Sequence, residues 1–284
     1  MRKEKTLRIK GEVYPLQPRR VMGILNSTPD SFFSGSRNED ATSLRRRIRE
    51  MKAVGVDMVD VGGYSTRPGA PEVTVAEEWR RVSVALEVLR EEWEDAIISV
   101  DTFRAEIARR SVEQFGVSII NDISGGDLDK DMWSCVAEAG VAYVLMHTRG
   151  TPADMQTLTD YDDVVAEVFE DLMRKASGLH QMGVADVILD PGFGFAKTVE
   201  QNYQLLASLE MFADTGMAVL AGMSRKSMIW RPLGITPEDS LAGTIALHTA
   251  SLLKGADIVR VHDVAEAVQM RNVVEMLLAQ DNKK

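Results

Sequence analysis

Only one cysteine, Cys135, occurs in the 284 residues, which excludes an internal disulfide and suits a reducing compartment. It reads as a small core hydrophobe. Histidine is almost as scarce: His147, His180 and His248 stand at no spacing that a metal site uses, and His248, within a helical stretch, reads as a satisfied structural residue. Long hydrophobic runs are missing too. Runs such as Val141 to Met146 fall far short of the roughly 20 residues that cross a bilayer, so no membrane span is expected. The first residues carry Arg2, Lys3, Lys5 and Arg8, but no apolar stretch of about 7–15 residues follows as a secretory signal would require. A cytoplasmic location is therefore expected. Positive charge is in short supply, with a formal balance of −10, which argues against nucleic acid as the main partner. Any anionic substrate must be captured by a local group of side chains.

What the chain has in quantity is alternation. Short apolar runs recur about every 30 residues, each followed by a longer segment with apolar residues at three- and four-residue spacing. Eight strands are expected: Val21–Leu25, Met58–Val61, Ile97–Val100, Ser118–Ile120, Ala142–Met146, Val187–Leu189, Ala218–Leu220 and Ile258–Val261. Their nearly continuous apolar character fits burial on both faces, as in a parallel sheet under helices. Helices are expected over stretches such as Ala41–Val54, Thr74–Glu92, Ala105–Phe115, Asp160–Met182 and Pro237–Leu253, several of them ending at a glycine such as Gly116 or Gly140. Eight βα units favour a closed (β/α)8 barrel, an α/β TIM barrel, over an open sheet. The chain is read as one domain over residues 1–284. Within it, Thr6–Ile9 and Val13–Leu16 around Lys10-Gly11-Glu12 read as a hairpin in residues 1–18 that closes the bottom, and residues 281–284 as a frayed tail.

In such barrels the chemistry lies at the C-terminal strand ends. Those ends deliver Asn26, Gly62-Gly63, Asp101, Asn121-Asp122, His147, Asp190, Ser224-Arg225-Lys226, and Arg260 with His262. Each taken alone reads as a helix cap or a solvated loop residue. Together they face one mouth, which favours a polar pocket for a small molecule. Asp101, Asn121 and Asp190 with Lys226 offer acceptors and donors suited to a flat heterocycle whose edge carries amino, imino and oxo groups. Arg260 and His262, with a helix starting near Asp263, form an anion cradle of the kind barrels place after their last strands. The segments Asn26 to Ser31 and Gly62 to Gly69, dense in turn formers and hydroxyls, read as lids.

Seven ordered segments carry a resemblance: Met22-Gly23-Ile24-Leu25-Asn26-Ser27-Thr28-Pro29-Asp30-Ser31-Phe32, Asp60-Val61-Gly62-Gly63-Tyr64-Ser65-Thr66-Arg67-Pro68-Gly69-Ala70, Ser99-Val100-Asp101-Thr102, Ile120-Asn121-Asp122-Ile123-Ser124-Gly125-Gly126, Asp190-Pro191-Gly192-Phe193-Gly194-Phe195, Ser224-Arg225-Lys226-Ser227 and Arg260-Val261-His262-Asp263-Val264. Over nearly the whole barrel the chain resembles the dihydropteroate synthases of the pterin-binding family. That resemblance implies a transferase of folate biosynthesis that condenses 6-hydroxymethyl-7,8-dihydropterin diphosphate with p-aminobenzoate, releasing pyrophosphate. It implies that Asp101, Asn121, Asp190 and Lys226 hold the pterin, with Met146 against its face. Thr66, Arg260 and His262 would contact the diphosphate, and Asn26 would coordinate a Mg²⁺ that carries it. Lys226, Asp101 and Arg260 would be the catalytic groups. Phe32, Arg67, Pro68, Phe195 and Ser227 would shape the p-aminobenzoate site, which sulfonamides also occupy. Relatives being dimeric, a homodimer through the apolar faces of the last helices is expected.

Two departures from the family pattern stand out. After Phe32 the chain reads Phe33-Ser34-Gly35-Ser36 where an acidic loop residue is common, and Ala196 stands where glycine is frequent, a change expected to matter little. Two other readings stay open: a pterin-dependent methyltransferase that presents methyltetrahydrofolate to a corrinoid protein, and a non-catalytic pterin-binding homologue. The run Arg45-Arg46-Arg47 reads as a solvated helix face, and Trp79 and Trp93 as helix packing.

Overall fold

The computed structural model describes residues 4–27, 37–65 and 72–281. The chain enters through an antiparallel hairpin, β1 (Thr6–Ile9) and β2 (Glu12–Pro15), turning at Lys10-Gly11. Eight further strands follow: β3 (Arg20–Asn26), β4 (Met58–Gly62), β5 (Ile98–Asp101), β6 (Ile119–Asp122), β7 (Ala142–Met146), β8 (Val187–Asp190), β9 (Ala218–Ala221) and β10 (Ile258–Val261). They pair in parallel in chain order and close into a barrel, with β10 beside β3. Helices α1 (Arg37–Val54), α2 (Val75–Glu92), α3 (Ala105–Phe115), α4 (Met132–Ala139), α5 (Val164–Gln181), α6 (Val199–Ala207), α7 (Leu209–Ala213), α8 (Ser227–Leu233), α9 (Leu241–Leu253) and α10 (Val264–Asp281) alternate with the strands. The chain is thus an α/β barrel of the expected class.

Strand parity explains why the strands look uniformly apolar in the sequence, because successive side chains point to opposite faces. Val21, Leu25, Val59, Val61, Ile98, Val100, Ile120, Tyr143, Leu145, Leu189, Val219, Val259 and Val261 point outward and pack with the helices in the larger core. Met22, Met58, Ile119, Ala142, Val144, Ile188, Ala218, Leu220 and Ile258 point inward and form a second core that fills the lower barrel. Leu7, Ile9 and Leu16 join this inner core from the hairpin, which plugs the bottom as expected. No helix among the described residues is long and apolar enough to cross a membrane.

Helix limits follow local hydrogen bonding. Thr74 lies outside α2 and caps it, its hydroxyl accepting from the Glu77 amide, while Asp163 caps α5 through the Val165 and Ala166 amides. The helices expected from Thr74, Asp160 and Pro237 therefore begin later, at Val75, Val164 and Leu241. Cys135 is buried, and Trp79 and Trp93 pack partly buried against the outer core. Arg45 spans to Glu91 and Glu92 of α2, but Arg47 donates to the carbonyl of His262. Arg47 is thus more than a solvated face, since it ties α1 to the barrel mouth. His248 accepts from the Met223 amide at 3.3 Å, and its buried Nδ1 has no hydrogen-bond partner among the described residues.

Candidate active site

Two residues above the inner hydrocarbon core, the inward positions turn polar. β4 places Asp60 above Met58, β5 ends on Asp101, β6 carries Asn121, β8 ends on Asp190 and β10 carries Arg260. Register joins the ring: Asp101 lies opposite Asn121, Gly62 opposite both Asn26 and Asp101, and Met146 opposite Asp190.

A hydrogen-bonded network holds one side of this ring. Arg260 donates from Nε to Asp60 Oδ2 at 2.6 Å and from Nη2 to Asp101 Oδ2 at 2.7 Å. Asn121 Nδ2 donates to the same Asp60 Oδ2 at 3.0 Å. Burial raises the Asp101 carboxyl to about 7, with the Arg260 guanidinium pulling the other way.

Lys226 and Asp190 form the other side. Lys226 caps α8 from the loop after β9, and its ammonium donates to the Phe193 carbonyl at 2.5 Å and lies 4.6 Å from the centre of the Phe195 ring. Burial lowers its pKa to about 8, while Asp190 opposes the shift. Burial likewise raises the Asp190 carboxyl, Lys226 opposing, and Asp190 Oδ1 accepts the Gly192 amide at 2.8 Å. Glycines leave gaps in the ring. A Cβ at Gly62 would lie 3.4 Å from Asn26 Oδ1 and 3.6 Å from Asp101 Cβ, and one at Gly222 would lie 3.9 Å from Lys226 Nζ and 3.8 Å from Arg260 Cβ. Lys226 thus feels the charges of Asp190, Arg260 and Asp101, and Arg260 those of Asp101 and Asp190.

The remaining expected residues divide into three groups. Met146 is buried at the end of β7, one inward step above Val144 and opposite Asp190. His262 sits just before α10, where its backbone amide and Nδ1 each lie 3.1 Å from Ser224 Oγ. Half-buried Phe195 and Ser227, the first residue of α8, stand beside Lys226. Phe32, Thr66, Arg67 and Pro68 lie outside the described residues, as do Phe33-Ser34-Gly35-Ser36, residues 28–31 of the first lid and 66–69 of the second.

Three expected rim residues serve the scaffold instead. Asp122 accepts from the Ser124 amide and hydroxyl, the Gly126 amide and the Tyr143 hydroxyl, so it shapes the loop after β6. Arg225 makes a two-pronged contact with Asp263, at 3.0 and 2.6 Å. His147 accepts at Nδ1 from Lys197 at 3.0 Å, and burial first, then Lys197, lowers its pKa to about 2, which keeps the ring neutral. Lys197 also donates to the Gly192 and Phe195 carbonyls at 3.1 and 3.0 Å, stitching the loop after β8 to β7.

Sequence reasoning missed Asp60 and Lys197. Asp60 had a signal: it is a carboxylate at an inward position, between Met58 and Gly62, in an otherwise apolar strand. Lys197, two residues after Phe195 and exposed by no local pattern, had none. Ala196 proves less bland than expected, since it holds φ +49°, a left-handed conformation that glycine adopts without strain.

The profile of the family described as "Pterin binding enzyme" matches residues 22–262, and the chain belongs to that family. The dihydropteroate synthase of Escherichia coli (strain K12) is 41% identical over 97% of this chain and 98% of its own length. The Xanthomonas albilineans dihydropteroate synthase solved with 4-aminobenzoic acid superposes with a TM-score of 0.87 at 37% identity, covering 98% of this chain and 99% of that one. The Yersinia pestis dihydropteroate synthase in a sulfonamide drug complex gives a TM-score of 0.89 at 36% identity, over 96% of this chain and 99% of that one. Within the pterin-binding enzymes, the chain belongs to the dihydropteroate synthases, which are transferases.

Proposed function

We propose that the polar mouth takes a dihydropterin diphosphate and p-aminobenzoate and joins them to 7,8-dihydropteroate, releasing pyrophosphate. The observation that carries this reading is the convergence of Asp101, Asn121, Asp190, Lys226 and Arg260 from separate strands and loops at one end of the barrel, above a hydrocarbon core and close enough for their charges to act on one another. The carboxylates and the Asn121 amide meet the donor-rich pyrimidine edge, Met146 packs against the ring face, and Lys226 donates to a ring oxo or imino group. Arg260 and His262, with the start of α10, face the diphosphate, and Thr66 is proposed to join them.

In the reaction the carbon–oxygen bond to the diphosphate breaks first, its electron pair leaving with pyrophosphate. Positive charge placed beforehand by Arg260 meets the charge that grows on the leaving group. The pterin methylene is left electron-poor, and Asp101 and Asp190 lie within the same opening to stabilise it. The aniline nitrogen then bonds to that carbon, its proton passing to water. Phe32, Arg67, Pro68, Phe195 and Ser227 are proposed to hold p-aminobenzoate, and by the same token a sulfonamide.

Asn26 fits a Mg²⁺ that arrives with its diphosphate. Among the described residues no group of three His, Cys, Asp or Glu could hold a resident metal, whereas Mg²⁺ shared with phosphate and water needs only one or two protein oxygens. When bound, the ion neutralises the leaving pyrophosphate.

We also propose a cytoplasmic homodimer. Exposed Val273, Met276 and Leu277 on α10 and Leu253 on α9 support self-association, since apolar side chains gathered on neighbouring helices favour burial. The direct test of the activity is incubation with dihydropterin diphosphate, p-aminobenzoate and Mg²⁺. Dihydropteroate and pyrophosphate should appear in equal amounts, and their absence would overturn the reading.

A further inference from the structure

We propose that Asp60 is the positioning residue of the pocket floor: one carboxylate oxygen fixes which atom of Asn121 and which edge of Arg260 meet the ligand. The inference rests on the pterin reading and adds a residue to it. Asp60 is fully buried, at 0% exposure, one inward step below Gly62, so it acts through its neighbours rather than on the ligand.

An ionised Asp accepts hydrogen bonds and donates none, so Asn121 must turn its Nδ2 toward Asp60 Oδ2 and its Oδ1 away. A freely rotating amide could offer a ligand either a donor or an acceptor. Held by Asp60, Asn121 turns its Oδ1 acceptor away from the carboxylate in a fixed direction, which favours a heterocycle edge bearing an N–H group at that point. Arg260 is fixed in the same way. Its Nε and Nη2 edge is taken up by Asp60 and Asp101, while Nη1 makes no hydrogen bond with a described residue and remains for an anion.

A second observation separates this role from simple stability. Asp60 Oδ1 is buried without any hydrogen-bond partner among the described residues. Leaving such an oxygen unpaired costs stability. An apolar residue would fill the position more cheaply, as Met58 does one step below. The contribution of the carboxylate is thus concentrated at Oδ2, which joins Arg260 and Asn121.

The test uses 6-hydroxymethylpterin as a probe of the ring site and inorganic pyrophosphate as a probe of the anion site, each titrated calorimetrically. The proteins are wild type, Asp60→Asn, Asp60→Ala, Asn121→Ala and the Asp60→Ala/Asn121→Ala double variant. Asp60→Ala should weaken both probes by at least about tenfold, the ratio set by a lost charged hydrogen bond, and Asp60→Asn should recover part of that loss. Asn121→Ala should add little in the Asp60→Ala background, because the amide has already lost its fixed orientation. Affinities within twofold of wild type for both probes, or a full Asn121→Ala effect in that background, would overturn the inference. If Asp60→Ala does not fold, Asp60→Asn carries the same measurements. If wild type binds neither probe, the pterin reading fails, and Asp60 is judged separately by NMR. The Asn121 amide and Arg260 Nε–H should exchange slowly with solvent in wild type and faster without the carboxylate, and equal exchange in both would refute the role.

Discussion

Lys226 is held between the Phe193 carbonyl and the Phe195 ring, in a buried position that sets its response to pH. Burial brings its pKa down from 10.5 to about 8, so kcat/KM for the pterin diphosphate should fall as pH rises through about 8, when the ammonium loses its charge and one donor. Lys226→Ala should abolish that alkaline limb and lower kcat/KM by roughly ten- to a hundredfold, as expected for a charged hydrogen bond. The sign for stability is the reverse. A lysine whose pKa is depressed on folding weakens the folded state below that pKa, so Lys226→Met should melt no lower than wild type at pH 7 while losing pterin affinity. A melting temperature that drops together with activity would show that Lys226 serves the fold instead. At this scale the sequence was informative wherever a polar residue ended an apolar run, as at Asn26, Asp101 and Asp190. It was misleading at Asp122 and His147, whose partners, Tyr143 and Lys197, are set only by tertiary packing. It was silent on Lys197, whose importance comes from carbonyls that converge only after folding.

Among the elements, the loop between β8 and α6 carries the tightest constraints. A Cβ on Gly192, at φ +73°, would sit 1.9 Å from the His147 carbonyl oxygen, and that oxygen belongs to the backbone. Gly192→Ala should therefore cost at least about 2 kcal/mol and displace the loop that presents the Phe193 carbonyl and the Phe195 ring to Lys226. Four residues on, Ala196→Gly should do the opposite and stabilise by about 1 kcal/mol by relieving a left-handed alanine. Thermal unfolding of the two variants side by side checks both, and opposite shifts are required. Strand limits were legible to within about a residue, because inward and outward positions are both apolar below the mouth. The strands run one residue further at Asn26, Gly62, Asp101, Asp190 and Ala221 and two further at Asp122, since parallel pairing continues after the apolar pattern stops. Helix starts were overextended wherever capping residues such as Thr74 and Asp163 share the polarity of a first turn.

For the whole molecule, barrel closure was legible from the count and spacing of βα units. The mouth was legible from the rule that strand ends converge, but the scaffold roles within it were not. If α10 and α9 form the contact between subunits, sedimentation should report a dimer for wild type, and Val273→Glu together with Met276→Glu should yield a monomer whose barrel remains folded. A wild-type monomer at micromolar concentration would refute the dimer.

Strand parity reaches further than the present sequence. A single residue inserted into any barrel strand would swap its two faces, sending Val59 or Leu189 into the lumen and turning Asp60 or Asp190 toward the helices. Length variation in this lineage must therefore accumulate in the loops and the terminal hairpin, and the eight strands should keep a fixed length however far the side chains diverge.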